Sequence, residues 1–329
     1  MSELFHRPRT STRRPKRRSV TPSANRKKPS AAPTRAAVTV RKLIESGARQ
    51  LRRAGVFFGH GTDNAFDESA ALVFHALNLA HHAGVREYSK PVSVARQRAV
   101  QELLSRRIDT RVPAVYLTGE TWFAGLPFFV DSRVLVPRSP LAELIEQQFM
   151  PWIDPRQVRH VLDLGTGSGC IAIASAVALP RARVDAVDIS DDALEVARIN
   201  VGRHKLKRRV RVLKSDHFSA LGRQTYDIIV TNPPYVGQRE LKGLPAEYRH
   251  EPRIALAAGR DGLDSVRIIL REAARHLRPR GLLVVEVGNT ETTVRRAFRR
   301  LPFVWLDFER GGGGVFLLTA EQLRAGEPN

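Results

Sequence analysis

Two clusters in this 329-residue chain have residue types and spacings suited to chemistry. The first is Asp163-Leu164-Gly165-Thr166-Gly167-Ser168-Gly169, directly after the apolar run Val161-Leu162. Glycines let the backbone turn sharply and let a ligand approach the main chain. The spacing Gly-x-Gly-x-Gly differs from the Gly-x-Gly-x-x-Gly turn that seats a pyrophosphate. Asp163, two residues before the first glycine, suits a ligand with an ammonium group, met directly or through water. Asp188 lies roughly twenty residues past the turn, where an acid accepts from both hydroxyls of a ribose. It would repel a 2′-phosphate. Asp216, in the pair Ser215-Asp216, is placed to accept from an adenine amino group.

The second cluster, Asn232-Pro233-Pro234-Tyr235, ends the run Tyr226-Asp227-Ile228-Ile229-Val230-Thr231. Asn-Pro also marks ordinary turns. At the end of a strand beside a ligand loop, however, its oxygens become useful. Two prolines stiffen the turn and hold the Asn232 side-chain oxygen and the Pro233 carbonyl in fixed places. Such a pair can accept from both N–H groups of an amide, whose nitrogen is a poor nucleophile, and Tyr235 can stack on the amide plane. The rate gain would come from positioning and preorganised dipoles. A donor with a built-in cationic leaving group needs no metal. The expected cofactor is therefore S-adenosyl-L-methionine, held by Asp163, Gly165, Thr166, Gly167, Ser168, Gly169, Asp188 and Asp216, and the expected catalytic residues are Asn232, Pro233, Pro234 and Tyr235.

These residues need strands that end at one edge. Strand patterns fall at His160–Leu164, Val184–Asp188, Val210–Lys214, Asp227–Thr231, Leu282–Val287, Phe303–Phe308 and Val315–Thr319, with helical runs between most of them. Such alternation predicts an α/β fold with a mostly parallel sheet. The last two strands are joined only by Gly311–Gly314, so they must be antiparallel. The implied fold is that of a class I S-adenosylmethionine-dependent methyltransferase, with a Rossmann-like seven-strand sheet. Residues 138–329 form the catalytic domain in this division. Residues 37–111 have helical spacing (Leu43, Ile44, Ala48, Leu51; then Ala70, Ala71, Phe74, Leu77; then Val100, Leu103, Leu104) and form a small helical domain for substrate recognition. Residues 112–137 hold β-like runs, Val115-Tyr116-Leu117, Thr121-Trp122-Phe123, Phe128-Phe129-Val130 and Val134-Leu135-Val136, punctuated by Gly119, Gly125 and Pro127. They predict a linking hairpin.

Composition bounds the rest. The net charge is +21, and residues 1–40 hold eleven Lys/Arg against the single acid Glu3. Residues 1–36 cannot bury enough apolar surface to fold and are expected to be a disordered basic tail. Such a tail either contacts RNA without sequence preference or only aids solubility. No apolar stretch is long enough to cross a membrane, so no membrane partner is expected. The lone Cys170 makes neither a disulfide nor a metal cluster, and it suggests a reducing, cytoplasmic setting.

The Asn-Pro-Pro-Tyr motif after such a loop resembles methyltransferases acting on planar nitrogen. The segment Val134-Leu135-Val136-Pro137-Arg138, the ribbon Tyr116–Val130 and Gly259-Arg260-Asp261-Gly262-Leu263 look like the protein N(5)-glutamine methyltransferase family. Within it, Gly59-His60-Gly61-Thr62-Asp63-Asn64, Arg138-Ser139-Pro140 and Glu247-Tyr248-Arg249-His250-Glu251-Pro252 look like the branch acting on large-subunit ribosomal protein three. The resemblance covers about residues 40–322. It implies that this ribosomal protein, free or in an assembling particle, is the partner. The alternatives are peptide release factors as substrate, DNA adenine as substrate, or a non-catalytic assembly factor. Arg138 either lines the substrate or cofactor pocket or forms an ion pair. His60 and His250 are expected to be structural.

Overall fold

In the computed structural model, residues 37–81 and 84–326 are described. The basic tail expected over residues 1–36 lies outside the described residues.

Side-chain caps start the helices by satisfying first-turn N–H donors. Thr39 Oγ1 accepts from Lys42 N–H to open α1 (Val40–Arg53). Asn64 Oδ1 accepts from the N–H groups of Phe66 and Asp67 to open α2 (Ala65–Leu77). After the single turn α3 (Val85–Tyr88), Ser93 caps α4 (Val94–Thr110). Ile44 and Leu51 of α1, Leu72 and Val73 of α2, and Val100 and Leu104 of α4 share one buried cluster. Gly47 lets α1 and α2 approach closely. A Cβ there would lie 2.3 Å from Ser69 Oγ, which instead donates to the Ile44 carbonyl at 2.8 Å.

The next segment departs from the sequence expectation. Val115-Tyr116-Leu117 belong to a short helix, α5 (Ala114–Thr118), rather than a strand. Pro113 precedes it with a fixed φ, and Gly119, at φ 69°, ends it in the left-handed region. Val134-Leu135-Val136 is not a strand either: Val134 and Val136 are buried, and the Val136 N–H donates to a carboxylate instead of a ladder. The hairpin itself is β1 (Glu120–Phe123) and β2 (Leu126–Phe129), turning through Ala124-Gly125, both at positive φ. Paired positive φ values match the twist of the flanking strands.

Helix α6 (Leu141–Glu146) leads to β3 (His160–Leu164), α7 (Cys170–Ala178), β4 (Arg183–Asp188), α8 (Asp191–Arg203), β5 (Val210–Lys214) and β6 (Tyr226–Thr231). The short α9 (Gln238–Leu241), α10 (Asp264–His276), β7 (Leu277–Glu286), α11 (Glu291–Ala297), β8 (Val304–Leu306), β9 (Val315–Thr319) and α12 (Ala320–Ala325) follow. The sheet order is β5-β4-β3-β6-β7-β9-β8. Strands β3 to β7 are parallel, and β9 is antiparallel to both β7 and β8. The short glycine connection requires the last pairing. This is the seven-strand sheet of a class I S-adenosylmethionine-dependent methyltransferase.

Successive residues of β7 belong to different cores. Leu282 and Val284 join one cluster with α6 and α7, while Leu283 and Val285 join another with α10 and α12. Burial on both faces explains why these strands read as unbroken apolar runs. The helices α1 to α5 belong to the same compact unit as the sheet. Arg107 of α4, fully buried, ties them to it: it donates to Glu68 at 2.9 Å, to Glu247 at 3.2 Å and to the Phe57 carbonyl at 2.9 Å.

Candidate cofactor and catalytic site

Strand order reverses at β3, which has β4 on one side and β6 on the other. In open α/β sheets, the crevice beyond the carboxyl ends at such a point takes the ligand. The glycine loop leaves β3 there. Gly165 and Gly167 have φ 69° and 54°, and a Cβ on either would meet nothing within 4 Å. They face open space. Gly169 does something else: its Cβ would lie 3.4 Å from Ala197, so the glycine lets α7 pack closely on α8.

Two aspartates hold this loop. Asp163 Oδ2 accepts from Thr166 Oγ1 at 2.6 Å and from Ala172 N–H at 3.0 Å. Asp188 Oδ2 accepts from Gly167 N–H at 2.9 Å, and its Oδ1 accepts from Ser190 N–H at 3.0 Å. Thr166 N–H donates to the Val187 carbonyl at 2.9 Å. A cavity of about 250 Å³ opens over the loop. Among the residues singled out by sequence, Gly165, Gly167, Asp188, Asp216, Asn232, Pro233 and Pro234 line it. Asp163, Thr166, Ser168, Gly169, Tyr235 and Arg138 do not. Asp163, Thr166 and Ser168 are buried behind the loop, where the Ser168 carbonyl accepts from Asn200 Nδ2 at 2.8 Å.

β6 delivers the second cluster to the same edge. Thr231 Oγ1 donates to the Leu164 carbonyl at 2.7 Å, which fastens the end of β6 to the start of the glycine loop. Asn232 follows at the cavity wall, and its side chain lies beside the Glu286 carboxyl at the end of β7, where against burial it helps keep the pKa of that carboxyl from rising further. The ring of Tyr235 lies against Gly288, where a Cβ would come within 2.8 Å of two ring carbons.

Arg138 forms an ion pair. Its Nη1 and Nη2 donate to Glu251 at 2.5 and 2.7 Å, and its guanidinium lies 5.2 Å from the Tyr248 ring centroid. Glu251 also accepts from Val136 N–H at 3.0 Å. His60, fully buried, stands 3.6 Å from Glu251, beyond hydrogen-bond length, and 4.6 Å from the Tyr248 ring. His250 Nε2 is 2.9 Å from the Thr110 carbonyl. Neither histidine lines this cavity.

Sequence reasoning missed Glu286, Glu251, Tyr248 and Gly288 as parts of this edge. Glu286 carried a usable signal. An acid closing an apolar run is the pattern that pointed to Asp188.

Burial raises the carboxyls of Asp163 and Glu286, each to about 7, and also raises that of Asp188. Carboxylates short of solvent favour a cationic neighbour. A sulfonium nucleoside with an ammonium group therefore fits this edge, and the open faces of Gly165 and Gly167 leave it room. Burial pushes the Cys170 thiol up to about 12, so it is no nucleophile at neutral pH. Among the described residues, no group of His, Cys, Asp and Glu is arranged to hold a metal ion.

A family model described as the methyltransferase small domain matches residues 146–246. Over 287 residues the chain is 48% identical to a ribosomal protein uL3 glutamine methyltransferase of Xanthomonas campestris pv. campestris, a match covering 87% of this chain and 93% of that protein. It is 47% identical to the protein of that name from Bordetella pertussis, covering 87% and 96%. For the one from Neisseria meningitidis serogroup B it is 46% identical, covering 87% and 94%. With this identity over nearly the full length of its relatives, the chain belongs to the ribosomal protein uL3 glutamine methyltransferase family.

Proposed function

We propose that this chain transfers a methyl group from S-adenosyl-L-methionine to the side-chain amide nitrogen of a glutamine in ribosomal protein uL3, the large-subunit protein three. The observation that carries this is Asn232-Pro233-Pro234 on the wall of the cavity that the glycine loop and Asp188 also line, in a chain 46–48% identical to uL3 glutamine methyltransferases. When bound, the cofactor supplies an activated methyl on a cationic leaving group.

The chain's own residues do the rest. Asp188 and Asp216 accept from the ribose hydroxyls and the adenine amino group, and Gly165 and Gly167 let the cofactor lie on the backbone. Asp163 braces that loop through Thr166 and adds negative charge behind it. Asn232 Oδ1 and the Pro233 carbonyl accept from the substrate amide and hold its nitrogen toward the methyl. Tyr235 offers a flat ring for the amide plane. Arg138, paired with Glu251, supports the wall.

Residues 138–329 carry the chemistry in this proposal, and the helices of residues 37–111, joined through 112–137, recognise uL3. A second cavity of about 530 Å³, lined by Phe74 and His75 of α2 and Trp122 of β1, supports a recognition role on that side. The site of action is the cytoplasm, where a ribosomal protein is met. Among the described residues, no helix is long and apolar enough to cross a membrane.

The test offers methyl-labelled cofactor with unmethylated uL3, release factor and adenine-containing DNA in separate reactions. Label on a glutamine of uL3 is expected. Label on the release factor alone keeps the chemistry and moves the substrate, label on DNA alone overturns the amide reading, and no transfer anywhere leaves only an assembly role. The basic tail gives RNA a non-specific contact in an assembling particle, supported by its eleven cations against one acid. Deleting residues 1–36 is expected to flatten the salt dependence of binding to ribosomal RNA. An unchanged slope removes the tail from that contact.

A further inference from the structure

The group that fixes how Asn232 points lies on another strand. β7 is the neighbour of β6, and Thr231 is paired in register with Val285. Asn232 and Glu286 therefore follow side by side at the catalytic edge. Glu286 is 4% exposed, Ser139 Oγ donates to its carboxyl, and the Asn232 side chain lies beside that carboxyl. Ser139 is itself tied down, accepting from Leu141 N–H at 3.1 Å.

The ionised form of Glu286 carries no proton, so Asn232 meets that form by donating through Nδ2. The side-chain amide is planar, and its oxygen and nitrogen point different ways. With Nδ2 on Glu286, Oδ1 is turned away from Glu286. An unheld amide can flip, and the flipped form presents N–H donors where an acceptor is needed. Those donors would oppose the N–H donors of a substrate amide.

We propose that Glu286 is a positioning residue for methyl transfer: by accepting from Asn232 Nδ2–H, with Ser139 as its second anchor, it selects the one orientation in which Asn232 Oδ1 can accept from the substrate nitrogen. This rests on the amide-methylation reading above. The requirement explains why an acid sits buried at the end of β7 beside the catalytic motif. An apolar residue would pack there but would leave Asn232 free to flip.

Two measurements on the full chain test it, and the first needs no substrate. The side-chain amide signal of Asn232 is followed by NMR, identified by its loss in Asn232→Ala. It is expected to move strongly in Glu286→Ala and to return most of the way in Glu286→Gln, whose amide oxygen can still accept. A signal identical in wild type and Glu286→Ala overturns the proposal. The second measurement is single-turnover methyl transfer to uL3. Glu286→Ala is expected to slow it on the order of 10- to 100-fold, in the range of losing a partner that orients a functional group from behind, with cofactor affinity kept. Glu286→Gln is expected to recover most of the rate. Adding Glu286→Ala to Asn232→Ala is expected to cost little more, because the effect runs through Asn232.

An unchanged rate in Glu286→Ala, or a full further loss in the Asn232→Ala background, overturns the proposal. Glu286→Met, which fills the space without an acceptor, substitutes for the alanine variant if that variant unfolds. If the wild-type protein leaves uL3 unlabelled, the amide-methylation reading fails, and the NMR comparison still decides whether Glu286 orients Asn232.

Discussion

Replacing Glu251 with glutamine removes a charge and little else. The glutamine oxygen can still accept from Val136 N–H, but the two charge-assisted bonds from Arg138, at 2.5 and 2.7 Å, are lost as a pair. Burial works against the Glu251 carboxylate, yet the Arg138 guanidinium, with His60 close by, outweighs it and holds the carboxyl at about 2 against an ordinary 4.5. At about 1.4 kcal/mol per tenfold change in proton affinity, this amounts to about 3 kcal/mol of stability at neutral pH. Breaking a buried ion pair by removing one partner costs about 3–5 kcal/mol, so the two routes agree at the lower end. That end is the expected one, because Arg138 keeps 25% of its side chain exposed and can turn to water. The lowered carboxyl sets the sign of the pH effect. Its stabilisation is complete above the unfolded value near 4.5 and is lost as pH falls through about 2. Urea unfolding of wild type and Glu251→Gln at pH 7 is expected to differ by about 3 kcal/mol, or about 4 °C in melting temperature for a chain this long. At pH 3 the gap is expected to shrink to about 1.4 kcal/mol, because one tenfold difference in protonation then remains. A gap that stays constant between pH 7 and pH 3, or that is below about 1 kcal/mol at pH 7, refutes the argument that this ion pair holds the segment at Val136 to the edge of the site.

The remaining predictions concern the loop and the end of β7. Asp188→Ala removes the acceptor of both Gly167 N–H and Ser190 N–H, along with the proposed ribose contact. Hydrogen bonds to a charged group contribute about 1.5–3 kcal/mol, so cofactor affinity measured by calorimetry is expected to fall roughly 10- to 150-fold; unchanged affinity takes Asp188 out of the site. Gly288→Ala places a Cβ 2.8 Å from ring carbons of Tyr235 at a residue with φ 45°. Left-handed strain and overpacking together are expected to cost about 2–4 kcal/mol, seen as a lower melting temperature and slower methyl transfer. A variant as stable and active as wild type shows that the Tyr235 ring needs no such seat.

Where sequence and structure part company is physical. Gly165 and Gly167 were legible because positive φ favours glycine over other residues, and glycine spaced so densely after an apolar run marks a turn. Asp188 and Asn232 were legible because a polar residue that closes an apolar run is carried to the edge of a buried sheet. Val134 and Val136 were misread as a strand because alternation reports which side chains are buried, and the backbone partner can be a carboxylate 115 positions away in place of a ladder. Val115-Tyr116-Leu117 looked β-like by residue type, but Pro113 and Gly119 bound a single helical turn, and Tyr116 Oη donates to the Val134 carbonyl to hold it there. Glu286 is the most informative omission. Its place at the end of a strand was readable, but its closeness to Asn232 depends on β7 lying beside β6, and composition along the chain does not encode that neighbour. Once the order β4-β3-β6-β7 is known, Asp188, Asp163, Asn232 and Glu286 fall at or near the carboxyl ends of four adjacent strands. Strand order is therefore what turns isolated polar residues into one site: β4 and β3 hold the glycine loop through their aspartates, β6 brings Asn232 to the cavity wall, and β7 brings Glu286 beside it.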